Sequence, residues 1–93
     1  MAQRAPRIHT DASEIERLKH LQSQFDAAMV VELHLLSGEV VTGTAPEPPN
    51  IQQFLDEEGN EGTNGLLRLD TGDGQIHLLW LDELERVVRV GTS

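Results

Sequence analysis

The sequence predicts an α+β, mainly β domain: an N-terminal helix followed by a five-stranded, strongly bent antiparallel barrel. Three observations lead there. Apolar residues recur at helical spacing once, near the N-terminus. Alternating apolar and polar runs separated by glycine-containing turns fill most of the remaining chain. Gly43 also interrupts a β-branched run, where a strand that must curve sharply would place a residue without Cβ.

Residues 1–10 are polar, include Pro6 and read as a flexible tail, leaving residues 11–93 as one domain. Asp11 with Glu14 three positions on makes a helix start, the Asp11 carboxylate accepting from free backbone N–H groups. Ile15, Leu18, Leu21 and Phe25 form one stripe, so a helix is predicted over about 12–24. Val31, Leu33 and Leu35 then alternate with Glu32 and His34, Ser37-Gly38 makes a turn, and a hairpin of strands 29–36 and 39–45 results. Pro46, Pro48 and Pro49 stop the second strand. Residues 51–55 fit either a short strand or one irregular turn, and 56–65 read as a mobile acidic loop. Strands at 66–71 and 75–81 flank "TGDG", whose glycines suit a tight turn. Ile76, Leu78 and Trp80 form the expected apolar side of the second of these. A short polar turn, "LDELE", leads to a final strand at 86–91 and a frayed "GTS".

Charge and composition narrow the function. The chain has 93 residues, no cysteine and a net charge of −9. Disulfides and thiolate chemistry are thereby excluded. Residues 45–85 hold ten acids and only Arg68 as a base, so this stretch supplies the whole excess. Such a field repels phosphate backbones and anionic membranes and suits an acidic docking face. No apolar run is long enough for a signal peptide or a bilayer span, which sets the expectation of a cytoplasmic protein without membrane attachment.

No reaction centre emerges. Asp70-Thr71-Gly72 is the tripeptide of retroviral-type aspartic proteases, but such a site needs paired buried carboxylates sharing a proton. Arg68 and Asp73 flank the tripeptide here, and the residues after Gly72 suffice for two strands, so Asp70 reads as a hairpin corner. The acidic loop has Glu61 and Leu67 where a calcium loop needs Gly and Glu. His34 and His77 are too few for a catalytic zinc set. Ser37 lacks a strand-to-helix elbow, and neither "GTNG" nor "TGDG" is followed by lysine or a helix start. The chain is therefore expected to be no enzyme and to use no metal or cofactor. Arg4, Arg7, Arg17 and Lys19 make one basic patch, the candidate RNA contact. Phe25, Phe54 and Trp80 are the only aromatics, and Phe25 and Trp80 are expected in the core rather than stacked on bases.

Helix, bent hairpin and closing strand pair together resemble the Sm/Lsm-like, or SH3-like, small β-barrel. The residues carrying the likeness are "VVELHLLSGEVVTGTA" and "GQIHLLWLDELERVVRV". More narrowly, the chain resembles bacterial Sm-like proteins of unknown function. In RNA-binding members, the loop after the second strand presents an Asp, an aromatic and an Asn to a base. "PEPPN" stands there, with Asn50 but no aromatic and no preceding Asp, and "LDELE" replaces the Arg-Gly between the last two strands, so both base-gripping motifs are absent and the resemblance carries the fold but not the RNA contacts. The resemblance implies assembly through the fifth strand, so Arg86, Val87, Val88, Arg89 and Val90 form the candidate self-association edge. The expected partners are a second copy, as a dimer, and an unidentified protein. RNA binding is the alternative.

Overall fold

Three prolines without backbone N–H groups divide what would otherwise be one long strand, and this sets the architecture. The computed structural model describes residues 3–92, among which there are seven strands and one α-helix. They are β1 (Gln3–Arg4), β2 (Met29–Leu35), β3 (Val40–Ala45), β4 (Asn50–Leu55), β5 (Glu61–Asp70), β6 (Ile76–Trp80) and β7 (Leu84–Thr92). Helix α1 (Ala12–Ser23) precedes β2, and a 3-10 turn (Leu81–Glu83) joins β6 to β7. Of the "GTS" expected to fray, Gly91 and Thr92 instead belong to β7 and pair with Val30 and Met29, while Ser93, like Met1 and Ala2 of the expected tail, lies outside the described residues.

The sheet runs β1-β4-β5-β3-β2-β7, with β6 paired to β5. β5 meets β3 at Thr44↔Asp70 and β4 from Asn50↔Leu66 onward. More residues lie between Thr44 and Asn50 than between Asp70 and Leu66, so the proline segment bulges out of the pairing. On its other side β5 pairs with β6, from Leu66↔Trp80 to Asp70↔Ile76. Among the described residues no pairing joins β6 to β7. The expected five-stranded closed barrel is therefore corrected to a seven-stranded open sheet. Its two extra strands are β1 and β4, and β5 begins five residues earlier than expected because Glu61–Gly65 pair with β4. The acidic loop contracts from 56–65 to 56–60, and the undecided 51–55 is a strand.

Asp11 caps α1, accepting from the Glu14 N–H at 3.3 Å. Leu18, Leu21 and Phe25 are buried against Met29, Val31, Leu33, Leu67, Leu69, Leu81 and Leu84, while Ile15 is half-buried. Gly43 permits the bend: a Cβ there would sit 2.6 Å from the Asp70 carbonyl oxygen. One face is inverted relative to expectation. Leu79 and Leu81 turn to the core, whereas Ile76 and Leu78 are 53% and 59% exposed. Trp80 is half-buried, edge-on to the fully buried Phe54 with ring centroids 5.1 Å apart.

Candidate functional site

The polar centre of the molecule is assembled by the segment expected to be a flexible tail. Residues 3–9 instead cross the sheet as a strap. β1 pairs in parallel with β4, the Ala5 N–H donates to the Leu55 carbonyl at 2.8 Å, and His9 bridges Thr63 through two backbone bonds. The strap thus runs from the edge of β4 to the far edge of β5. Gly62 lets it lie flat, since a Cβ there would come within 2.6 Å of the Ile8 side chain. Beneath it the buried Asn64 amide donates to the Arg7 carbonyl at 3.0 Å.

Arg7 and His9 extend from the strap to Asp82 in the 3-10 turn. Arg7 Nε and Nη2 donate to the two carboxylate oxygens at 2.7 and 3.0 Å, and His9 Nε2 lies 2.9 Å from Oδ2. The Asp82 side chain is 3% exposed and that of Arg7 47%. Burial alone would raise the Asp82 carboxyl, but the Arg7 and His9 hydrogen bonds outweigh it and hold the group below the usual carboxylate range. Arg7 is correspondingly raised, chiefly by its hydrogen bond to Asp82. From α1, Arg17 donates to the carbonyls of Leu84 and Asp82 at 2.7 and 3.0 Å and to Glu14 at 2.8 Å. The anionic "LDELE" is thus secured by two arginines.

Residues 56–60 form the loop that joins β4 to β5, while "PEPPN" follows β3 as expected. Asp56 Oδ1 accepts from the Glu58 and Asn60 N–H groups at 2.9 and 2.8 Å, and Oδ2 accepts from Asn60 Nδ2 at 3.1 Å. Arg4 Nη1 ties the strap to this loop through the Asp56 carbonyl at 3.0 Å. The strap consequently links loop 56–60 to the 3-10 turn.

The other candidates are peripheral. Asp70 is exposed and accepts the Gly72 N–H at 2.9 Å, as a turn residue does. His34 pairs with Glu32 at 2.6 Å and His77 with Asp73 at 2.8 Å. Among the described residues no three His, Asp or Glu side chains are grouped to hold a metal ion.

Of the four expected basic contacts, Arg7 and Arg17 converge on the 3-10 turn. Arg4 lies at loop 56–60, and Lys19 stands apart beside Glu16 at 3.8 Å. Arg86, Val87, Val88, Arg89 and Val90 all fall on β7, which pairs with β2 along one side. Val87 packs toward the core, Val88 is half-buried and Arg86, Arg89 and Val90 are exposed. Asp82 was not anticipated as a centre. Arg7 lies 75 residues away in sequence and His9 73, so no local pattern connects them.

No curated protein matches this chain. Among solved structures it is similar to the crystal structure of XC5848 from Xanthomonas campestris, described as adopting a novel variant of Sm-like motif. The two are 32% identical with a TM-score of 0.86, over 95% of this chain and 97% of that one. The Sm-like resemblance of the hairpin and closing strands is thereby established. A family model described as a domain of unknown function matches residues 2–90, and the chain belongs to that family, DUF3247.

Proposed function

We propose that this Sm-like domain is a non-enzymatic, self-associating protein-interaction module with an acidic face, and that its basic assembly is a dimer. The observation that supports this reading is the second edge of β7, which no strand pairs with among the described residues: β7 is bonded to β2 on one side and exposes Val90. An unpaired edge is a template for another strand. Two β7 edges paired antiparallel about Val88 would set Arg86 against Val90 and Arg89 against Val87. Like charges, which destabilise a pair when directly opposed, would then not face each other. A larger ring would concentrate −9 per subunit, which favours the smaller assembly.

Asp70, exposed and bonded within its own turn, supports a non-catalytic role. RNA contact through Arg4, Arg7, Arg17 and Lys19 is the weaker reading, because Arg7, Arg17 and Lys19 each have an acidic side chain beside them and Arg4 is spent on a carbonyl. Sedimentation velocity across micromolar concentrations tests the assembly. The wild type should dimerise, Val90→Lys should shift it to monomer, and Leu78→Lys on β6 should not. A wild type that stays monomeric at all concentrations would refute self-association, and dissociation by Leu78→Lys alone would move the contact to β6.

A further inference from the structure

A groove of about 320 Å3 opens between the β2–β3 turn and the 3-10 turn. Leu35 and Leu36 form its apolar wall, and Leu36 is 61% exposed, the most exposed large apolar side chain among the described residues. Glu39 and Glu83 line the same groove, with Arg7 and Asp82 at its inner end. The volume is at the small end for a ligand site and fits one long side chain better than a whole small molecule.

The charges choose that side chain. Arg7 and Asp82 cancel through their two-pronged bond. Glu83 is held loosely, 3.7 Å from Arg7 Nη2 and 41% exposed on its side chain. Glu39 forms no ion pair among the described residues. With one guanidinium against three carboxylates, the groove carries a net excess of two negative charges beside a hydrophobic wall, within a chain whose overall field draws in cations. A guanidinium or ammonium group on an aliphatic stem matches both features, because such side chains bury the stem along apolar surface and keep the charge at the rim.

We infer that this groove docks an arginine or lysine side chain, flanked by apolar residues, from a basic segment of a partner protein. The inference rests on reading the domain as an interaction module and names its partner's chemistry. The probe is a capped five-residue peptide with a central arginine between two leucines, titrated into the full chain at low salt and followed by amide NMR shifts. Shifts should concentrate at residues 35–39 and 82–83, and fade as salt rises. Glu39→Gln and Glu83→Gln should each weaken binding by about 2–5-fold, the range for an exposed charge pair. Glu57→Gln with Glu58→Gln, in loop 56–60, should leave it unchanged. Absence of shifts overturns the inference. So does equal weakening by the loop variants, which marks diffuse attraction, or equal binding of a norleucine-for-arginine peptide, which marks apolar contact alone. A chain that dimerises but ignores the peptide defeats this inference and not the assembly.

Discussion

Replacing Arg7 by alanine removes the principal partner of a carboxylate that is 3% exposed. Two charge-assisted bonds are lost, at 2.7 and 3.0 Å, each worth about 1.5–3 kcal/mol. Arg7 itself is half-exposed, so solvent screens the pair and water replaces part of it, and the two bonds together are discounted to little more than the lower figure for one. His9 stays in place. The expected cost is about 2 kcal/mol, or roughly 8–16 °C in Tm for a domain this size. Urea unfolding followed by fluorescence of Trp80, the only tryptophan, measures it. The pH dependence gives a second readout. Asp82 holds its proton less tightly when folded, so its contribution is present above the ordinary carboxylate range and lost as pH falls through and below it. The Arg7→Ala deficit should be complete near neutral pH and shrink in acid. Combined with Asp82→Asn, the Arg7→Ala change should cost well under half as much, since the charge it compensates is gone. A neutral-pH deficit below about 0.5 kcal/mol, the scatter of ordinary surface changes, would refute the assignment of Asp82 as an anchored centre.

Three further outcomes rest on packing. Gly43→Ala should destabilise by about 1–3 kcal/mol in chemical unfolding, because the new methyl would press on the Asp70 carbonyl, whereas Gly91→Ala, with open space around it, should be nearly neutral. Phe54→Leu should cost about 1–1.5 kcal/mol and shift Trp80 emission to the red, since the edge-on ring contact is lost. Gly62→Val should dislodge the strap, read as faster amide exchange at His9 and Thr63 while residues 31–33 of β2 stay protected.

Local chemistry explains what was legible. The Asp11 cap, the Leu18–Leu21–Phe25 stripe and the Val31–Leu33 alternation lie within a few residues of their causes, and each is found where expected. β4 was illegible because "IQQFL" has no clean period, its Gln52 and Gln53 both being exposed. The start of β5 was hidden because small residues, Gly62, Thr63, Asn64 and Gly65, are buried there under the strap and the 3-10 turn, so a polar-looking run is core. β6 misled in the opposite sense, with apolar residues on both faces and no alternation to choose between them. Most of the Asp82 centre was unreadable because its partners meet only once the sheet has brought the two ends of the chain together.

That separation has a kinetic side. Residues 4–9 are synthesised well before everything they bind, with intervals of 52 positions to Asp56, 57 to Asn64 and 75 to Asp82. Such distant contacts cannot form until the loops between them have closed, and closing them is slow. The opening residues should therefore be made first and seated last, after β5, β7 and the 3-10 turn have packed on α1. Until they are seated, the edge of β4 and the outer margin of β5 stand unpaired, and a growing chain at that stage offers neighbouring chains its most adhesive surface.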